Sequence, residues 1–217
     1  MTSSLRTTRP KPRSPRRRYH HGDLRPALLE AALGILAEQG AASLTLRAVA
    51  RGAGVSQTAP YRHFKDRSAL IGAVAIEAFA RLGGAIGRAV GKGPPGLPAL
   101  ERGLAAYVRF AHLHPAEYRV MFGAELAGRD DRPEVQGAAE GVFRILGDGI
   151  AQLQGRGLLG RGDPVLMAIA AWATVHGLVM LTLDGRTAAT GRSNREVAEA
   201  TIRVLLTGMG TAPAVSR

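Results

Sequence analysis

Apolar residues recur three and four positions apart along almost the whole of this chain, and no segment alternates convincingly between apolar and polar. Leu24, Ala27, Leu28, Ala31, Ala32, Ile35 and Leu36 form one such stripe. Leu97, Leu100, Leu104, Tyr107, Val108 and Ala111 form a second, and Val135, Ala138, Val142, Phe143, Leu146, Ile150 and Leu153 a third. Spacing near 3.6 residues lines one face of an α-helix, whereas a period of two marks a half-buried strand. The expected fold class is therefore all-α. An apolar fraction of 46% supplies a real core, and 217 residues leave room for a small domain fused to a larger one.

Helix boundaries are legible from capping chemistry. Asp23 is placed to cap the first helix, with Pro26 in its first turn and Gly40 at its end. Thr45 reads as the N-cap of a second helix stopping near Gly54, with Leu44 and Val49 as a hydrophobic staple. A third, short helix falls within GVSQTAPYRHF at 54–64. Pro60 lacks an N–H and breaks helix interiors, so the helix should start at Ser56 or Gln57, leaving Pro60 at the edge of its first turn. Asp66 caps a long fourth helix carrying Leu70, Val74, Phe79, Leu82 and Ile86 inward. The stripe from Leu97, a short piece at Pro115–Phe122 and a helix behind Pro133 follow. Asp163-Pro164 opens another helix, and the capping box Ser193-x-x-Glu196 opens the last. GKGPPGLP at 91–98 formally matches G-x-G-x-x-G. A helix precedes it rather than a strand, and Pro94 and Pro95 offer no N–H to a pyrophosphate, so it reads as a helix connection.

Charge is uneven. Arg6, Arg9, Lys11, Arg13, Arg16, Arg17 and Arg18 carry seven of the net +12 charges, and no acid precedes Asp23. Residues 1–18 read as a flexible basic arm ahead of a mildly basic globule, suited to an anionic polymer; a solubilising tail is the alternative. No apolar segment follows the arm, so a secretory signal is not expected. No stretch reads as about 18 consecutive uncharged apolar residues, so neither a spanning helix nor a membrane partner is expected. The absence of cysteine removes disulfides, thiolate metal sites and a cysteine nucleophile, and fits a reducing cytoplasm.

Two short helices separated by Ala53-Gly54-Val55 make a helix-turn-helix, in which the second helix of the pair enters the DNA major groove. Ala50 and Ala53 would allow close crossing. Leu46, Val49, Val55, Tyr61 and Phe64 would bury against the first helix, leaving Gln57, Thr58, Arg62 and His63 outward. LTLRAVARGAGVSQTAPYRHFKDRSAL resembles the DNA-binding signature of TetR-type transcriptional regulators, through its small-residue turn, its Tyr-x-x-Phe ending and the Lys65-Asp66 junction. YHHGDLRPALLEAA at 19–32 and AWATVHG at 171–177 are similar to one branch of that family, which has a Trp…His-Gly motif in its ligand domain. Thr58-Ala59-Pro60 stand where the commonest family pattern has Gly-Thr-Leu.

The resemblance implies a three-helix DNA-binding domain at 19–66, a larger helical ligand-binding and dimerisation domain at 67–210, and a tail at 211–217. It implies phosphate contacts from Thr45 and Arg47, and base-edge positions for Gln57, Thr58, Ala59 and Arg62. Tyr61 and Lys65 would hold the DNA backbone, with His63 beside them in either role. These assignments agree with the chemistry: helix N-termini bind phosphate, Gln pairs adenine, and Arg pairs guanine. Tyr61 as core, Arg62 as a solvated charge and Gln57 as a helix cap are the plainer alternatives.

In the second domain, Trp172 and His176 lie four apart on one helical face, either in a ligand pocket or as core and interface residues. Tyr107 and Phe143 are further pocket candidates. Residues 164–184 and 194–209 are implied to pair with a second copy of the chain. The expected protein is a homodimeric regulator, in its expected form a repressor, binding a palindromic double-stranded DNA operator and released by an apolar or amphipathic small molecule. No cofactor or metal is expected. His112-x-His114 shows no carboxylate partner in sequence, and Pro115 suggests that His114 ends or caps a helix. Catalytic signatures such as H-E-x-x-H, G-x-S-x-G and Walker A are absent, so no catalytic residue is assigned. The competing class is a helical small-molecule-binding or enzymatic protein whose arm only aids solubility.

Overall fold

A computed structural model describes residues 24–123, 126 and 133–210. The basic arm at 1–18, the capping position Asp23 and the tail at 211–217 lie outside the described residues. Among those described, every regular element is helical: α1 (Leu24–Gln39), α2 (Leu46–Gly52), a 3₁₀ turn (Ala59–Arg62), α3 (Arg67–Val90), α4 (Leu97–Leu113), α5 (Pro115–Phe122), α6 (Pro133–Gly155), α7 (Pro164–Leu183) and α8 (Asn194–Met209). Two further 3₁₀ turns sit in the connections at Ala41–Ser43 and Ala188–Thr190.

Four expected caps close as the chemistry demands. Thr45 Oγ1 accepts from Ala48 N at 3.1 Å, Asp66 Oδ1 from Ala69 N at 2.7 Å, and Asp163 Oδ1 from Val165 N at 2.8 Å. Ser193 and Glu196 form both halves of their capping box. Each satisfies an N–H that the helix leaves unpaired and is worth about 1 kcal/mol.

The 54–64 stretch departs from expectation. It is not an α-helix beginning at Ser56 or Gln57 but a single 3₁₀ turn beginning at Ala59. Its bonds run Ala59 N to Ser56 O, Tyr61 N to Thr58 O and His63 N to Pro60 O. Pro60 has no N–H to donate, and the turn closes on its carbonyl instead, with His63 N and Phe64 N both donating to Pro60 O at 2.9 Å. Pro60 is also buried, and Tyr61 points outward with 53% of its surface exposed. The expectation that Tyr61 buries against α1 is thereby corrected, because Pro60 takes the buried position of the turn and Phe64 lies beyond its end at Arg62, so no single helical face carries both rings.

Gly54 turns the chain between α2 and this unit with φ +68°, a left-handed conformation that side chains other than glycine's resist. Gly52 allows the close approach of α2 to α1: a Cβ there would lie 3.3 Å from Ala31 Cβ. Arg67, one residue past the Asp66 cap, reaches back to Leu44 O at 2.9 Å and Ala41 O at 2.8 Å. The start of α3 is thus clamped to the α1–α2 connection.

Apolar burial divides into two clusters. The first joins α1, α2, Phe64 and the opening of α3 (Leu70, Ile71, Val74), with Val120 of α5 against it. The second gathers α3 from Ala78 onward with α4, α5, α6, α7 and α8. Helix α3 has 24 residues, about 36 Å at 1.5 Å per residue, and runs through both clusters. The 91–96 segment connects α3 to α4. Arg102 of α4 fastens it by donating to Ala89 O, Val90 O and Pro94 O at 3.0, 3.0 and 2.8 Å.

One expectation on composition is corrected. By length and hydropathy alone, α3 and α7 would each be long and apolar enough to cross a membrane. Helix α7 carries no Asp, Glu, Lys or Arg over its 20 residues. Thr174, His176 and Thr182 interrupt the apolar run, which is why consecutive counting misses it. The apolar surface of α7 is double-sided: Ala168, Ala171, Val175 and Val179 face the core, while Val165, Leu166, Ile169 and Leu181 face outward.

Candidate DNA-reading face and effector cavity

The polar candidates of the first domain lie at its surface. Thr45, Arg47, Gln57, Thr58, Tyr61, Arg62, His63 and Lys65 are all exposed, and Ala59 is half-buried. They are presented by a buried set beneath them, Leu46, Val49, Pro60 and Phe64. The division follows from local geometry: Pro60 has no N–H, so it can face the core at no hydrogen-bonding cost, turning its neighbours to solvent. Thr58 Oγ1 lies 3.2 Å from Ser56 Oγ, which orients the residues before the turn. Arg25 of α1 places its guanidinium 5.8 Å above the Phe64 ring and so covers that core residue from the side. The first turn of α2, where amide N–H groups lie ahead of the helical ladder, opens on the same unit, with Arg47 beside it.

The second domain holds a partly open cavity of about 800 Å³ between α3, α4, α6 and α7, with α5 and the 91–96 connection also contributing to its lining. Phe79, Leu82 and Ile86 of α3, Leu104 of α4 and Leu146 of α6 make its walls apolar. Three of the four sequence candidates, Tyr107, Phe143 and Trp172, line it. His176 does not. It stands behind the wall, with its ring centroid 5.6 Å from Trp172 and 4.7 Å from Phe122.

Behind that wall is a polar chain. Trp172 Nε1–H donates to Tyr107 Oη at 3.1 Å. Tyr107 Oη lies 2.8 Å from Tyr118 Oη, which lies 2.6 Å from His176 Nδ1. A longer contact of 3.3 Å joins Tyr107 Oη to the same nitrogen. Burial pushes the Tyr107 hydroxyl up to about 12, partly offset by its bonds to Tyr118 and Trp172. Burial raises Tyr118 as well, and the neighbouring Tyr107 adds to the effect. Both phenols therefore stay protonated. Burial lowers the pKa of His176, so the imidazole is neutral at pH 7.

Sequence reasoning missed Tyr118, which is wholly buried at the centre of the chain. Its spacing from Phe122 on α5, with ring centroids 4.9 Å apart, was the available signal. It also missed Glu117. Arg81 Nη1 lies 2.8 Å from Glu117 Oε1, and His114 Nδ1 lies 3.3 Å from the same oxygen. The reading that the two histidines lack a nearby carboxylate is corrected, since Glu117 is one helical turn from His114. His114 stands at the junction of α4 and α5 as expected, but makes no side-chain cap. His112 turns the other way, Nε2 to Thr182 Oγ1 at 2.8 Å, which separates the pair. Among the described residues no group of three or more His, Asp or Glu is placed to hold a metal.

Burial lowers the pKa of both His112 and His176 from 6.5. Below that value the unfolded chain binds more protons than the folded one, so stability must fall as pH drops from about 7 towards 5. Chemical denaturation across that range should show the loss, and the pair His112→Gln, His176→Gln should flatten it. An unchanged slope in the double variant would place the titration elsewhere.

Comparison with known proteins agrees with this architecture. Residues 28–74 match the family model of bacterial regulatory proteins of the tetR family, and residues 100–205 match a tetracyclin repressor-like C-terminal domain. An uncharacterized HTH-type transcriptional regulator of Mycobacterium tuberculosis is 31% identical over 161 residues, covering 74% of this chain and 71% of that protein. A solved structure of a protein of unknown function from Rhodococcus sp. RHA1 superposes with a TM-score of 0.81 at 33% identity, covering 90% of this chain and 100% of that one. PfmR, a TetR family transcriptional regulator from Thermus thermophilus, shares the fold at a TM-score of 0.63 and 19% identity, covering 88% of this chain and 99% of that one.

Proposed function

This chain belongs to the TetR family of DNA-binding transcriptional regulators, which are not enzymes, and we propose that it is a homodimeric cytoplasmic repressor of a palindromic operator, released by an apolar or amphipathic effector. We place it in the family branch marked by the Trp…His-Gly motif, here Trp172, His176 and Gly177. The DNA-binding unit is residues 19–66 and the effector and dimerisation unit residues 67–210. The observation that carries the reading is the course of α3: Phe79, Leu82 and Ile86 line the cavity, while two turns earlier Leu70, Ile71 and Val74 sit in the core beneath the DNA-reading face. A ligand that spreads the cavity walls moves this helix, and with it the reading turn. The effect on DNA affinity equals the ligand's preference for the moved state.

On this reading Thr45 and Arg47 contact phosphate, Gln57, Thr58, Ala59 and Arg62 face base edges, Tyr61 and Lys65 hold the backbone, and His63 beside them takes either role. Tyr61's exposure supports a contact role over a core role. Tyr107, Phe143 and Trp172 contact the effector, and His176 acts through Tyr118 and Tyr107. The outward faces of α7 and α8, with Leu166 64% and Val204 74% exposed, form the surface between two copies. A helix apolar on all sides requires cover on all sides.

Selection of bound duplexes from a random pool supplies the operator and tests the reading. Specific binding should exceed random-sequence binding by at least about 10³. Gln57→Ala should relax base preference at one position by roughly 5- to 150-fold, whereas Lys65→Ala should weaken all duplexes alike and reduce the salt slope by about one. Equal losses for both variants on operator and random DNA would refute this division of roles. Equal wild-type affinity for every duplex would refute the repressor itself.

A further inference from the structure

Resting on the reading of this cavity as the effector site, we propose that the effector is an uncharged, largely apolar molecule bearing a carbonyl oxygen, and that this oxygen takes the Tyr107 Oη proton by reversing the Trp172–Tyr107–Tyr118–His176 chain.

The direction of the chain in the free protein follows from counting protons. The indole of Trp172 can only donate, so Tyr107 Oη accepts from it at 3.1 Å. Tyr107 and Tyr118 have one proton each. Two hydroxyl oxygens 2.8 Å apart need one proton between them, and so does the 2.6 Å contact from Tyr118 Oη to His176 Nδ1. More than one arrangement meets all three demands, but one alone leaves no hydroxyl proton without a partner. Trp172 donates to Tyr107, Tyr107 to Tyr118, and Tyr118 to His176 Nδ1, which leaves the imidazole proton on Nε2. The opposite direction would aim Tyr107's proton into a predominantly apolar cavity, where Tyr107 Oη has no hydrogen bond to a lining residue other than Trp172 among the described residues, at the cost of an unmade buried hydrogen bond.

An acceptor in the cavity removes that cost. Tyr107 lines the cavity, whereas Tyr118 and His176 stand behind it, so a ligand oxygen meets the chain at Tyr107. When Tyr107 turns its proton to the ligand, the 2.8 Å gap to Tyr118 must be filled from the other side. Tyr118 then donates to Tyr107, and His176 must carry its proton on Nδ1 to donate to Tyr118. The proton count is unchanged; each hydroxyl turns by one partner and the imidazole changes tautomer. A ligand without an acceptor leaves the chain as it was.

The acceptor is uncharged because the cavity offers no cation at this end. Its charged lining residues are Glu140 and Arg156, both exposed on or just past α6. Arg156 lies 13 residues beyond Phe143, roughly 20 Å along the helix axis. A carboxylate at Tyr107 would be buried without a partner, and the neutral imidazole behind it gives no compensating charge. The aromatic wall of Phe79, Phe122 and Phe143 suits the apolar remainder.

Trp172 is the single tryptophan of the chain, so its emission reports the cavity without a label. The full-length protein and Tyr107→Phe, each checked for an unchanged melting temperature, would be titrated with n-octane, 2-octanone and octanoate. Tyr107→Phe should weaken 2-octanone by about 5- to 50-fold, the range for a buried acceptor that loses its donor. Octane should change by less than about twofold, and octanoate should bind wild type at least about tenfold more weakly than 2-octanone. Nitrogen-15 spectra of the His176 imidazole give a second, variant-free readout. Octane should leave the proton on Nε2, and 2-octanone should move it to Nδ1. A proton that stays on Nε2 with 2-octanone bound, equal losses for ketone and alkane, or octanoate binding more tightly than the ketone would each overturn the proposal while leaving the cavity reading intact. If neither octane nor 2-octanone altered Trp172 emission, the cavity reading itself would fall.

Discussion

Phe64→Ala should cost about 3–5 kcal/mol and abolish operator binding, because it empties the core directly beneath the reading turn. Phe64 is buried among α1, α2 and the start of α3, under the Arg25 guanidinium. The 3₁₀ turn before it has few bonds of its own, so its position depends on this packing rather than on its backbone. The second cluster does not include Phe64. Dimer mass and Trp172 emission should therefore survive while operator affinity and the amide protection of α2 disappear. Tyr61→Ala is the matched control. Its side chain is half in solvent, so stability should move by no more than about 0.5 kcal/mol even though DNA affinity drops. Full operator affinity in Phe64→Ala, or a melting loss in Tyr61→Ala as large as in Phe64→Ala, would reverse the roles given to these two rings.

The second large effect is expected at the outward faces of α7 and α8. Leu166→Glu combined with Val204→Glu should raise the dimer dissociation constant by at least about 10²-fold, read by sedimentation at micromolar concentration. In a two-fold interface each substitution occurs twice, so every introduced carboxylate would be buried in duplicate and without a partner. Both positions are exposed within one chain, so the monomer should keep its melting profile apart from the dimer contribution. Operator binding should fall as well, since two half-sites can no longer be held at one spacing. Dimers that persist in the double variant would move the subunit interface away from these helices.

How much of this was readable beforehand depended on the range of the interaction involved. Thr45, Asp66, Asp163 and Ser193 each begin a helix through a bond to a residue two or three positions away, and all four were legible. Tyr107, Phe143 and Trp172 were legible as cavity candidates because helical spacing places them on inward faces. Tyr61 was misread because the rule that would bury it assumes one α-helical face running through Phe64, whereas the 3₁₀ turn ends at Arg62 with Pro60 in its buried position. Tyr118 escaped notice because its partner His176 lies 58 residues away; Glu117 binds Arg81 from 36 residues away, but its second neighbour, His114, was within one helical turn and legible.

The sequence by itself determined the helices, their caps, the glycine turn and the polar run of the proposed reading face, since these rest on contacts within a few residues. Tertiary structure alone decided which ring faces solvent, that α3 serves both cores, and that a histidine behind the cavity wall receives the end of a hydrogen-bond chain. Those outcomes depend on groups brought together across the fold, and local spacing carries no record of them.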